Sequence, residues 1–227
     1  MVKKLEQLNQ SDRKISAKKI GLVFAMTVLI FSVGLLVGYA ITSAKISDIA
    51  NFERESRFQL ESLDLEEKLL NEVPCVDSGA LTDKLSDLGA RLTYLESQYD
   101  KNDPRVIELK KPYTLLQARH YLRLRDMKES CGQDYSIVLF FYSNSAENIK
   151  LSEEQGFVLD YLKKKFSSDK VKTYSFDADL DIEIIDSLKR VYGVTSTPST
   201  VIDGKLFVGF HGKEELEKVF EETIRNN

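Results

Sequence analysis

The chain has 227 residues, of which 42% are hydrophobic and 30% are charged, and its net charge is −4. Residues 1–45 carry a charge of +5, so residues 46–227 carry −9. Because an acidic main part repels phosphate backbones, we expect no nucleic-acid partner.

Cysteine and histidine are scarce, with two residues of each type. Cys75 and Cys131 match no zinc-ligand spacing, and His120 lies far from His211 in the sequence. We therefore expect no metal and no other cofactor, and we interpret each histidine as a surface or packing residue.

A basic tail, residues 1–19, precedes an uncharged apolar stretch, residues 20–44. A helix of this length extends about 37 Å, which exceeds the roughly 30 Å hydrocarbon core of a bilayer. A cleaved signal peptide is the alternative, because Thr42, Ser43 and Ala44 have the small side chains of a cleavage site. Its apolar region is normally about 7–15 residues long, so the length favours a single transmembrane helix.

The distribution of basic residues predicts the orientation. The tail carries six lysines and arginines, whereas residues 45–60 carry three that are offset by three acidic residues. The positive-inside rule then places the N-terminus in the cytoplasm and the C-terminal part outside it, in the cell envelope. Gly34 and Gly38 form a GxxxG pair, through which two copies could associate; ordinary lipid-facing glycines are the alternative.

Residues 45–74 are predicted to form a helical stalk, since residues 46–72 contain no glycine or proline. One side of this helix would carry Ile49, Phe52, Leu63 and Leu70. Their period is irregular, so a coiled coil that joins copies of the chain stays an alternative to a single helix.

An α-helical hairpin is predicted next, within residues 75–131. Apolar residues recur in its first helix at alternating steps of four and three, namely Leu81, Leu85, Leu88, Leu92, Leu95 and Tyr99. Asp103 and Pro104 are typical of the cap and first position of a second helix. This helix would present Leu109, Leu116, His120, Leu124 and Met127 to the first. Pro112 should kink it or delay its start.

The two cysteines frame this hairpin, because Cys75 and Cys131 each lie 28 residues from Asp103. An antiparallel hairpin that folds at Asp103 brings them together at its open end. The expected location outside the cytoplasm favours a structural disulfide, and two free buried thiols are the alternative.

The remaining residues alternate between strand and helix patterns. The predicted strands are residues 136–142, 171–176, 201–202 and 206–208, and the predicted helices are residues 151–166, 180–192 and 213–225. The first strand is a continuous apolar run, which is typical of a strand buried on both faces. The order is β-α-β-α-β-β-α, which defines an α/β domain.

Residues 134–225 resemble the thioredoxin-like superfamily in this element order and in Ser196-Thr197-Pro198 before the terminal hairpin. The resemblance implies a cis bond before Pro198, and an extended peptide that pairs with the main chain beside it as an added strand. The alternative is that the proline only shapes the turn. The family's usual first strand and helix are not evident, so the hairpin is expected to cover their place.

The sequence departs from the family at the redox motif. The Cys-x-x-Cys motif falls on residues 146–149, where Ala146 and Ile149 replace the cysteines. Thiol–disulfide exchange needs a thiolate, and neither side chain supplies one. Ser143 and Ser145 have no histidine beside them in the sequence to act as a base, so we expect them to cap the next helix together with Asn144.

The leading hypothesis is therefore a membrane-tethered, redox-inactive thioredoxin-like protein that binds or scaffolds another envelope protein or an extended peptide. An envelope thiol–disulfide oxidoreductase that uses Cys75 and Cys131, or a partner's cysteines, is the second hypothesis. A structural protein that oligomerises through its stalk and hairpin is the third.

Overall fold

The computed structural model describes residues 17–70, 75, 79–167 and 169–226. Most of the predicted basic tail and part of the link between the predicted stalk and hairpin lie outside these ranges. The chain divides into two compact units, Met1–Asp48 and Ile49–Asn227.

In the first unit, the chain forms the beginning of helix α1, which spans Ala17–Leu70. Its segment Lys18–Ser43 has a mean hydropathy of 2.7 and is long and apolar enough to cross a membrane, a criterion that a signal sequence also meets. The hydroxyls of Thr27 and Thr42 each donate to a carbonyl four residues earlier, at 2.9 Å. Such bonds satisfy the two hydroxyl groups within the helix itself.

In the second unit, Phe52 and Leu60 of α1 pack against α2, Gly79–Gln98, and α3, Pro104–Cys131. Phe52 is fully buried among leucines of both helices, and Ser56 is also buried. This part of the predicted stalk is therefore the third helix of a bundle. The apolar period looked irregular because the buried position after Phe52 carries a serine.

The hairpin of α2 and α3 begins its second helix where the sequence indicates. The Asp103 side chain accepts a hydrogen bond from the Arg105 main-chain nitrogen at 2.9 Å, and Pro104 is the first helical residue. Pro112 lies inside α3, so it does not delay the start of the helix. Gly132 ends α3 in a left-handed conformation, with φ of 62°.

A mixed four-stranded sheet follows, with the strand order β2-β1-β3-β4. Its strands are β1 Ser136–Tyr142, β2 Val171–Asp177, β3 Ser199–Ile202 and β4 Lys205–Val208. The helices between and after them are α4 Ile149–Phe166, α5 Glu183–Tyr192 and α6 Lys213–Asn226. β1 runs parallel to β2 and antiparallel to β3, which in turn runs antiparallel to β4.

Each face of the sheet buries an apolar cluster. Leu139 and Phe141 point to the face covered by α3 and α5, and Val138 and Phe140 point to the face covered by α4 and α6. This two-sided burial explains why β1 is a continuous apolar run. Because β1 and β2 are parallel, their carboxyl ends lie side by side at the same end of the sheet, beside the turn that leads into α4.

Candidate functional site

The turn between β1 and α4 contains the positions where the resemblance places the redox motif. Ala146 is exposed in this turn, and Ile149 is half-buried as the first residue of α4. Neither side chain can ionise or act as a nucleophile. The turn therefore offers no thiol chemistry.

Polar residues of the same turn are fixed by an aspartate that follows β2. The Ser143 hydroxyl donates to Asp179 Oδ2 at 2.7 Å, and the Asn144 main-chain nitrogen donates to the same oxygen at 3.0 Å. Ser143, Ser145 and Asn144 were expected to cap α4, and this expectation is wrong. The residue at the cap position is Asn148, and its side chain makes no capping hydrogen bond. Ser143 is only 2% exposed, so it stabilises the turn and cannot meet a substrate.

A buried ion cluster lies next to this turn and was not predicted. The Lys110 ammonium, on a residue that is 2% exposed, donates to Asp177 Oδ2 at 2.8 Å and to Glu96 Oε1 at 3.0 Å. Asn144 Nδ2 also donates to Asp177 Oδ2, at 2.9 Å. The cluster thus joins α2, α3, the end of β2 and the turn.

The carboxylates of this cluster control the pKa of Lys110. Burial acts to lower it, but attraction to Asp177 and hydrogen bonding with that residue and Glu96 outweigh burial and raise the pKa above its ordinary value. Lys110 is therefore a stable cation at neutral pH, and its role is to hold the hairpin to the sheet.

The peptide bond between Thr197 and Pro198 is cis. Ser199 pairs with Phe141, so Pro198 and Thr197 continue past this pair, alongside the end of β1 and the turn. The Pro198 carbonyl accepts a hydrogen bond from the Gly209 nitrogen at 2.8 Å.

Thr197 differs from Pro198 in its main-chain bonding. It is half-buried, and its main-chain N–H and C=O form no hydrogen bond with any residue that the structure describes. Phe210 and Val208 flank Gly209 and are 44% and 49% exposed. Thr197 thus offers one donor and one acceptor beside a small apolar surface.

The two cysteines lie at the other end of β1. Cys75 and Cys131 form a disulfide with Cα atoms 5.6 Å apart. Cys131 ends α3 just before β1 begins, whereas the turn follows the other end of this seven-residue strand, roughly 23 Å away at the usual rise. The disulfide is therefore remote from Thr197.

Both histidines are held by hydrogen bonds. His120 is buried between Thr82 Oγ1, at 3.1 Å, and Tyr174 Oη, at 2.8 Å. His211 lies within 2.9 Å of Glu215 Oε1. Within the described residues, no group of histidine, cysteine and acidic side chains could hold a metal ion.

Comparisons with known proteins give matches among solved structures alone. No family model and no curated protein matches the chain. Chloroplastic thioredoxin z is 14% identical, with 46% of this chain and 90% of that chain covered and a TM-score of 0.35. Thioredoxin Mala s 13 of Malassezia sympodialis is 19% identical, with 44% and 84% covered and a TM-score of 0.33. The germline-specific thioredoxin Deadhead of Drosophila melanogaster is 22% identical, with 44% and 90% covered and a TM-score of 0.29. Each of the three is a thioredoxin, and each is similar to less than half of this chain.

Proposed function

We propose that the protein is a membrane-tethered, redox-inactive module of thioredoxin-like type, which binds an extended segment of another envelope protein. One observation carries the proposal: beside the cis bond to Pro198, the main chain of Thr197 has no hydrogen-bond partner among the described residues, and the adjacent turn has no thiol.

The free groups of Thr197 are suited to an extended peptide. One N–H and one C=O on the same residue can pair with a single residue of an added strand. The Pro198 carbonyl is already bonded to Gly209, so Thr197 is the docking point. Exposed Phe210 and Val208 would then cover an apolar side chain of the bound segment.

The same site argues against disulfide exchange. Ala146 and Ile149 supply no thiolate, and the Ser143 hydroxyl is buried against Asp179. A site without a nucleophile can bind a peptide but cannot form a mixed disulfide with it. The fold would thus be retained for recognition, since packing and catalysis reside in different residues.

The location outside the cytoplasm is part of the proposal. It is supported by the apolar length of Lys18–Ser43 and by the excess of basic residues before it. It is also supported by the disulfide, because such bonds persist in oxidising compartments. Protease added outside intact cells should digest the part after residue 45, and protection of that part would contradict this orientation.

Site-specific photocrosslinking in intact cells tests the binding role. A photoreactive phenylalanine analogue replaces Phe210, which follows the Gly209 bonded to Pro198, and in a matched control it replaces Tyr94, which is exposed on α2. We expect a discrete adduct from position 210 alone, with the crosslink located in an extended segment of the partner. No adduct, or the same adducts from both positions, would contradict the proposal. The purified full-length protein should also show no disulfide reductase turnover.

Disulfide exchange at the two cysteines is the second candidate, because Cys75 is exposed. The reduction potential of the pair separates the candidates. A structural disulfide should have a potential below about −300 mV, and a catalytic one should lie higher.

A further inference from the structure

The edge strand β2 has main-chain groups that no described residue pairs with and that the proposed function does not use. Ser136 N donates to Lys170 O, and Ala178 N donates to Tyr142 O, each at 2.8 Å. Since alternate residues of a parallel strand face the neighbouring strand, the N–H and C=O of Thr173 and Ser175 point away from β1. In the described part of the chain, no hydrogen bond reaches these main-chain groups.

A groove of about 820 Å³ runs along this edge, between α2 and α4, and Thr173 and Ser175 line it. The wall formed by α2 carries four small residues, Ser86, Gly89, Ala90 and Thr93, together with Leu92 and Glu96. A Cβ at Gly89 would lie 2.5 Å from Tyr113 Oη, so no larger residue fits there without a shift. The opposite wall includes Phe157, which is 75% exposed. The groove is therefore wide enough for a chain segment and has an apolar side chain to cover it.

Two buried polar atoms beside the groove also have no hydrogen-bond partner among the described residues. They are Gln117 Oε1, on a side chain that is 93% buried, and Thr173 Oγ1. Both residues line the groove. Because an unsatisfied buried polar atom is destabilising, these two atoms favour a partner that the described residues do not supply.

The charges around the groove define the chemistry of that partner. Three carboxylates line the groove, and each is paired: Glu96 with Lys110 at 3.0 Å, Glu153 with Lys101 at 2.7 Å, and Asp160 with Lys164 at 3.8 Å. In an adjoining cavity at the start of β2, Lys163 and Lys172 lie with Asp83, and neither lysine forms an ion pair with a described residue. One positive charge is therefore in excess at that end.

We propose that the edge of β2 is a second peptide-docking site, where an extended segment of a partner protein adds as a fifth strand between α2 and α4. Side chains of this segment that face α2 are small and uncharged, and one carboxylate lies near Lys163 and Lys172. The other edge strand, β4, has only four residues, and short edge strands are poor templates for pairing.

Peptide binding to the full-length protein in lipid nanodiscs tests this site. The probe is a fluorescein-labelled octapeptide of alternating valine and threonine that ends in aspartate. We expect saturable binding by fluorescence anisotropy, weaker binding when asparagine amide replaces the aspartate, and slower hydrogen exchange at the amides of Thr173 and Ser175. Exchange at Thr197 reports separately on the site of the proposed function, so the failure of one proposal can be distinguished from the failure of the other.

Two variants and one control distinguish the edge from other surfaces. Ser175→Pro removes an outward N–H without removing a bond to β1, and should weaken binding about tenfold, whereas Ser175→Ala should stay within about twofold. Ala90→Phe fills the groove from α2 and should also weaken binding, which covers the case in which Ser175→Pro does not fold.

Several outcomes would overturn the proposal. They are no saturable binding up to about 1 mM peptide, equal affinity of both variants and the parent protein, or exchange protection at Thr197 in place of β2. Self-association that Ser175→Pro abolishes would assign the edge to a second copy of the chain and overturn the partner assignment as well.

Discussion

The two ends of β1 are fastened by different chemistry. At its start, the hairpin is closed by the covalent bond between Cys75 and Cys131. At its end, Lys110 joins α2, α3 and β2 through Glu96 and Asp177. The disulfide depends on the redox environment, whereas the ion cluster depends on pH and on the presence of all its charged residues. Each can therefore be removed without the other.

Removal of the disulfide should have the largest effect. The double variant Cys75→Ser, Cys131→Ser should lose about 4 kcal/mol of unfolding free energy, because a long loop in the unfolded chain is no longer closed. Urea unfolding of the full-length protein in mild detergent, followed by tyrosine fluorescence, measures this loss. The parent protein under reducing conditions is the control and should lose the same amount. A loss below about 1 kcal/mol would show that the disulfide contributes little.

Removal of the buried cation should cost slightly less. Lys110→Met should lose about 3 kcal/mol, because Asp177 and Glu96 are then buried or half-buried without a counter-charge. The same urea unfolding measures it. Adding Asp177→Asn and Glu96→Gln to Lys110→Met should recover part of the loss. Equal unfolding free energies of Lys110→Met and the parent protein would show that the cluster does not stabilise the fold.

The contribution of Lys110 should also disappear at high pH. Its pKa is raised in the folded protein, so its stabilisation is complete below the unfolded value of about 10.4 and is lost as pH rises through the folded value. The stability difference between the parent protein and Lys110→Met should therefore be constant from about pH 7 to pH 10 and shrink above that range. Burial also raises the pKa of Tyr174, but this affects both proteins equally. A difference that stays constant above the range would contradict the ionic origin.

An exposed ion pair near the cluster should contribute least. Lys101 and Glu153 pair at 2.7 Å, but their side chains are 39% and 51% exposed. Lys101→Ala should change the unfolding free energy by less than about 1 kcal/mol, since solvent screens such pairs. It keeps the Lys101 carbonyl that accepts from Lys110. A loss as large as that of Lys110→Met would mean that the two pairs act as one network.

Local patterns in the sequence predicted the elements but not the contacts between distant residues. The bounds of β1 and the start of α3 at Pro104 agree with the sequence, because an apolar run and a capping aspartate are local signals. Lys110 and Asp177 are 67 residues apart, and a lysine that will be buried has the same sequence signal as a surface one. The Ser143 bond to Asp179 likewise depends on the parallel pairing of β1 with β2, which no local pattern contains.

At the candidate site, the sequence was informative where a short motif has a distinctive backbone. The resemblance carried by Thr197-Pro198 implied a cis bond, and the structure contains it. The unpaired edge of β2 was not predicted, since the absence of a neighbouring strand becomes visible only when the whole sheet is assembled. The packing of Phe52 was missed for a related reason, because its partners lie in helices that are distant in the sequence.

The packing of α3 determines where this chain can be cut. One part of the helix supplies Val106, Leu109 and Leu116 to the bundle, and a later part supplies Tyr121, Leu124 and Met127 to the core against the sheet. A shortened protein that begins at residue 134 would lose the α3 side chains that cover Leu139 and Phe141 together with α5, and the apolar surface left exposed would promote aggregation. The smallest portion suited to recombinant expression or to transplantation into another protein therefore begins before Phe52. It includes both the hairpin and the sheet.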